Sequence, residues 1–181
     1  LTTPAAPELG DEVSLPQGDE GISILGEGNR VWLSFRRTAE VDLGAPSYVR
    51  YYIRSVDLET PSDPVLGGRV NVPGVLMAKT GPQLIPRDSV YRDEFAETAI
   101  AKLELRGERA FLEAYSRFQN QQVHNMKLDG EGRLLVTHQH HWSTYDGPWH
   151  ENRKKLTILD VDDDLDVLGS TEILNWGSLR S

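Results

Sequence analysis

Three stretches of the chain gather side chains that do chemistry. The first is Thr137-His138-Gln139-His140-His141-Trp142. Alternate residues of an extended chain share a face, so His138 and His140 stand side by side, and two imidazoles at that spacing can share a zinc-like ion. Asp146, His150 or Glu151 from the following loop would complete such a shell. Without a metal, the same run is a strand end that enters a polar loop, with His141 and Trp142 packed at a rim. The second stretch alternates Asp160, Asp162, Asp164 and Asp166, a pattern suggestive of a calcium ladder. An EF-hand loop starting at Asp160 needs Gly at its sixth position and Glu at its twelfth, where this chain has Leu165 and Thr171. A looser calcium site is left, set against a solvated turn. The third stretch is Tyr145-Asp146-Gly147-Pro148-Trp149-His150. Aromatic rings on a loop grip a sugar ring or a protein surface, or else pack at a rim. Trp142, Tyr145, Trp149 and His150 are therefore the expected ligand- or partner-contact residues.

No reaction follows from these stretches. Ser34, Ser55 and Ser143 lack a G-x-S-x-G context, Gly26-Glu27-Gly28 reads as a hairpin turn, and no phosphate-cradling loop is present. Carboxylates are plentiful, but nothing in the order of residues sets a separation that glycoside chemistry would need. The chain has no cysteine, which removes disulfides, thiolate metal sites and thiol nucleophiles. The expectation is no catalytic residue and no cofactor, with zinc or calcium as the only ions left in play. A net charge of −9 and a pI near 5.0 argue against affinity for nucleic acid or an anionic membrane face. No apolar run reaches the roughly 20 residues of a helical membrane span, and mean hydropathy is −0.45.

The elements that must position these residues read as strands. Residues 1–20, with Pro4, Pro7 and Pro16 and no period, are expected to be a flexible linker, either the remainder of an export segment or a chain boundary. From Ile22 onward, short β-branched and aromatic runs alternate with turn residues. Ile22–Leu25 and Val31–Phe35 flank Gly26-Glu27-Gly28-Asn29. Tyr48–Leu58 and Val65–Val72 flank a break at Pro61 and Pro64. Val75–Lys79 and a strand starting at Ser89 follow. Thr98–Leu105 and Ala110–Phe118 flank Arg106-Gly107-Glu108-Arg109, Val123–Leu128 and Leu134–His140 flank Asp129–Gly132, and Lys155–Val161 and Leu165–Leu174 flank Asp162-Asp163-Asp164. Residues 94–115 are also rich in helix formers, but Gly107 and the period-two placing of Leu103, Leu105 and Phe111 favour strands.

The strands repeat. Ser55-Val56-Asp57-Leu58, Lys102-Leu103-Glu104-Leu105 and Ile158-Leu159-Asp160-Val161 share an apolar-acidic-apolar ending about fifty residues apart, and each is followed by a turn and another strand. Four strands per 40–50 residues is a propeller period. The expectation is an all-β, incomplete β-propeller of about three four-stranded antiparallel blades, over residues 21–73, 74–120 and 121–176. A β-sandwich or an irregular β fold that contains only repeat-like hairpins is the competing architecture. Three blades are too few to close a ring, which takes at least about four. A protein partner or further blades are therefore expected to complete it.

The segments DSVYRDEFAETAIAKLELRGERAFLEAYSRF, LDGEGRLLVTHQ and RKKLTILDVDDDLDVLGSTEI resemble a family of secreted or lipid-anchored bacterial β-propeller proteins, over roughly residues 50–177. The resemblance implies that Leu156–Val161 is a blade's third strand, that more blades follow Trp176-Gly177, and that the protein lies outside the cytoplasm, often without an assigned enzyme activity. The leading expectation is a non-enzymatic interaction or scaffold module of an extracytoplasmic assembly. The alternative is a metal- or carbohydrate-binding propeller with hydrolase or lyase activity at one end of the ring.

Overall fold

A computed structural model of the chain describes residues 14, 17–39, 48–92, 95–142, 145–148 and 152–173. Most of the expected linker lies outside these residues. Within its described part, Arg37 binds Asp19 at 2.7 Å and donates to the carbonyl of Gln17, which ties residues 17–19 to the first sheet.

The described chain is all β. The first sheet takes β1 (Glu20–Glu27), β2 (Arg30–Ala39), β3 (Tyr48–Asp57), β4 (Val65–Leu66) and β5 (Val70–Val72). The second takes β6 (Val75–Thr80), β7 (Gln83–Arg92), β8 (Phe95–Arg106) and β9 (Arg109–Gln119), and the third takes β10 (Gln121–Leu128), β11 (Arg133–His140), β12 (Lys154–Asp160) and β13 (Val167–Ile173). Every pairing is antiparallel. Each sheet is an up-and-down meander, and the helix-prone stretch 94–115 is strand, turn, strand. Gly107 turns β8 into β9 at φ 60°, with Arg106 opposite Arg109 across a two-residue loop.

Three details depart from expectation. The strand predicted over Val65–Val72 is two short strands, β4 and β5, both lying on β3. Gly67 and Gly68 separate them: the Gly67 amide bonds the Ser55 carbonyl at 2.8 Å, and a side chain at either glycine would collide with Ser55 or Glu108. The first hairpin turns at Gly28-Asn29 alone, with Gly26 inside β1. Strand β7 begins at Gln83 and carries the buried Pro86 in its middle. A proline cannot donate to a ladder. Here the β7–β8 pairing lapses between Leu84 and Arg87, and β6 bulges opposite at Leu76/Ala78.

The sheets stack in sequence through two apolar cores. Trp32, Ile53, Val70 and Val72 of the first sheet meet Leu76, Leu84, Ala101 and Leu103 of the second. Ile85, Ile100 and Phe118 of the second meet Val123, Met126, Leu134, Val136 and Leu159 of the third. Neighbours Leu84 and Ile85, both fully buried, thus point into different cores. The second sheet is covered on both faces, unlike either sheet of a two-layer sandwich. The leading strands β1, β6 and β10 follow one another, β6 touching both the others.

Candidate functional site

The third sheet holds a polar rung inside its apolar face. Gln121, His138, Thr157 and Ser170 come from β10, β11, β12 and β13 and join across the whole sheet. Gln121 Oε1 lies 3.1 Å from His138 Nδ1, His138 Nε2 lies 2.8 Å from Thr157 Oγ1, and Thr157 Oγ1 lies 3.0 Å from Ser170 Oγ. The Gln121 oxygen can only accept, so His138 donates from Nδ1 and, being neutral, accepts at Nε2; Thr157 then donates to the ring and Ser170 donates to Thr157. Phe118 of β9 meets the ring edge-on at 4.8 Å. Burial, with the charges of Lys155 and His124 beside it, lowers the His138 pKa to about 4. His138 therefore has both nitrogens engaged by protein. It shares a strand face with His140, as the spacing predicts, but serves as a core bridge. Among the described residues no group of three or more His, Asp or Glu is placed to hold a metal ion.

Beyond that rung the strands open into a recess of about 170 Å³. Its base is Gln121 paired with His140 and Lys155 paired with Glu172 across adjacent strands. The β11–β12 connection supplies Tyr145, Asn152 and Arg153. Asn152 Nδ2 donates to the His140 carbonyl at 3.0 Å and pins that connection to the end of β11. Tyr145 sets its ring 5.4 Å from that of His140.

The expected contact residues part company here. Tyr145 lines the recess. Trp142 is 61% exposed and lies against the ring of the buried His141 at 5.5 Å. Trp149, His150 and Glu151 lie outside the described residues, as does Ser143, while Asp146 is exposed. The acidic stretch 160–166 is a turn with apolar feet. Val161 and Leu165 are buried in the second core, Asp164 and Leu165 adopt φ 38° and 60°, and Asp166 and Asp160 close the turn through backbone bonds of 2.9 and 2.8 Å.

A larger concavity, about 510 Å³, opens between the first and second sheets. On β8 the residues turned toward the first sheet are Glu97, Ala99, Ala101 and Leu103, and across the β9 ladder stand Arg117, Tyr115 and Leu112. Among the described residues the first sheet opposes them with Asn71 and Val72 of the three-residue β5 and the following Pro73. Leu112 and Tyr115 are therefore 61% and 56% exposed. At one end Arg117 sits 3.8 Å from Glu97 and 5.0 Å over the Tyr115 ring. The sequence signal for this groove is faint: small residues at 99, 101 and 110 in an otherwise bulky pair of strands.

Comparison of the chain with models of protein families, with curated proteins and with solved structures found no match.

Proposed function

We propose that the chain is a non-enzymatic interaction module, an arc of about three β-propeller blades acting outside the cytoplasm, which holds an extended segment of a protein partner in the groove between its first two sheets. The observation that carries this reading is the groove. Apolar, part-exposed side chains line it, and it runs beside β9, the last strand of its sheet, whose outer backbone edge has no strand partner among the described residues. An added strand gains main-chain bonds along such an edge and side-chain pockets beside it. The propeller arc is supported by three consecutive meanders stacked face to face with their leading strands in succession. The resemblance supports an exported setting. Further blades, from a longer chain or a second one, would close the ring.

Peptides selected from a random library for binding to the chain test this. Selected peptides should lose at least about tenfold in affinity against Leu112→Arg and Tyr115→Ala and should shift the amide resonances of β8 and β9. Peptides indifferent to both substitutions, with β9 unperturbed, would overturn the reading.

A further inference from the structure

We infer that the recess at the end of the third sheet binds a monosaccharide-sized sugar acid, with its carboxylate on Arg153 and Lys155, its hydroxyls on Glu172, Gln121 and Asn152, and its ring against Tyr145. The size suits a single ring and is far below that of a folded epitope: the recess measures about 170 Å³. The chemistry of the lining is that of a polyol site. Gln121 spends Oε1 on His138, and its amide hydrogens have no protein acceptor among the described residues. Asn152 spends Nδ2 on His140 and keeps its carbonyl oxygen. Planar amides and a carboxylate are the groups that pair with vicinal hydroxyls, and an aromatic ring covers the C–H face of a sugar.

Charge selects the acid over the neutral sugar. In a chain with nine more carboxylates than bases, eight Lys or Arg side chains form ion pairs among the described residues. Among the described residues Arg153 and Lys155 line the recess without a carboxylate within 4.0 Å, although Glu172 is the cross-strand neighbour of Lys155. Among the described lining residues two cations stand against one carboxylate, a positive excess that a ligand carboxylate neutralises. The guanidinium offers a bidentate fork and the ammonium a point charge, so they divide the two carboxylate oxygens.

His138 reports on the occupant. It lies one rung inside the recess, opposite Lys155. The groups facing its ring are Gln121 and Thr157, with Phe118 from the second sheet, and the charges acting on it are Lys155 and His124, itself beside Lys154. An anion on Lys155 relieves the repulsion of a protonated imidazole, so His138 titrates higher when the site is filled.

The experiment is an NMR titration of the whole chain with D-galacturonate, D-galactose, acetate and glutamate over the millimolar range. Galacturonate is expected to saturate shifts at Gln121, His140, Lys155 and Glu172 and to raise the His138 titration midpoint. Galactose and acetate should bind at least tenfold more weakly, and binding should weaken with salt. Lys155→Met should lose about tenfold, and Tyr145→Leu about fivefold, with unchanged thermal midpoints. Equal binding of galactose or acetate, stronger binding of glutamate, or a His138 midpoint that stays still while galacturonate saturates would each overturn the assignment. The Leu112→Arg variant should bind galacturonate like the parent chain, so this result is independent of the groove.

Discussion

Both ring nitrogens of His138 are held by side chains of neighbouring strands, Gln121 and Thr157. The i, i+2 geometry of His138 and His140 was legible, because strand periodicity fixes which side chains share a face. What was not legible is that Gln121 and Thr157, 17 residues before and 19 residues after His138, sit on neighbouring strands and occupy both ring nitrogens. Register between strands supplies those partners, and register is not written in the local pattern. The consequence is a pH dependence with a definite sign. Folding lowers the His138 pKa from 6.5 to about 4, so between those values the unfolded chain binds the proton and the folded chain does not. Stability is complete above about pH 6.5 and falls as pH drops toward 4, by about 3 kcal/mol for this residue. Urea denaturation at pH 7.0, 5.5 and 4.5 should show that fall. His138→Gln, which keeps one donor and one acceptor, should flatten most of it. His124, also lowered by burial, leaves a smaller slope in the same window. A His138→Gln chain with the parent's full pH slope would rule out the buried neutral imidazole.

At the level of elements, hairpins were the most readable feature. Their two-residue loops and glycines are local, and Gly107 at φ 60° is the example that removes the helix alternative for 94–115. Strand β7 was half-hidden, because Pro86 reads as a breaker and is tolerated only where a bulge in β6 and a lapse in the β8 ladder coincide. The split of β4 from β5 was hidden for the converse reason: Val65 and Val70–Val72 are good strand residues, and two glycines pressed against Ser55 and Glu108 interrupt them. Gly74, which leads from the first sheet into the second, shows how narrow such junctions are. A methyl group there would press into the Arg87 carbonyl and lie 2.8 Å from the Asp88 amide nitrogen. Backbone atoms in mid-strand cannot step aside. Gly74→Ala should cost about 2 kcal/mol or more in chemical denaturation, whereas Gly130→Ala, with no atom within 4 Å of the added carbon, should stay within about 0.5 kcal/mol. Equal effects at the two positions would place the strain elsewhere.

For the whole molecule, the run of antiparallel strands was visible in the sequence and the unevenness between the three sheets was not. Three similar meanders stack, but the first ends in strands of two and three residues while the second ends in one of eleven. The groove is the gap left by that mismatch, and it has no motif of its own. The shared second sheet also couples the two cores. β6–β9 supply four of the eight buried side chains of the first core and five of the twelve of the second, and Leu84 and Ile85 contribute to opposite sides from adjacent positions. A sheet that loosens on one face loses the shape its other face is packed against, so the stack should open as one unit. Ile85→Ala removes a fully buried side chain from the second core and should cost about 2–5 kcal/mol. Hydrogen exchange then discriminates. In a coupled stack, the slowest amides of β2 and β3, which Ile85 does not touch, should speed up by nearly the same factor as those of β11 and β12. Acceleration confined to the second and third sheets would mean that the first sheet holds itself together. A chain that loses one sheet at a time would also release whatever lies in the groove, because the wall formed by β5 would survive while β9 did not.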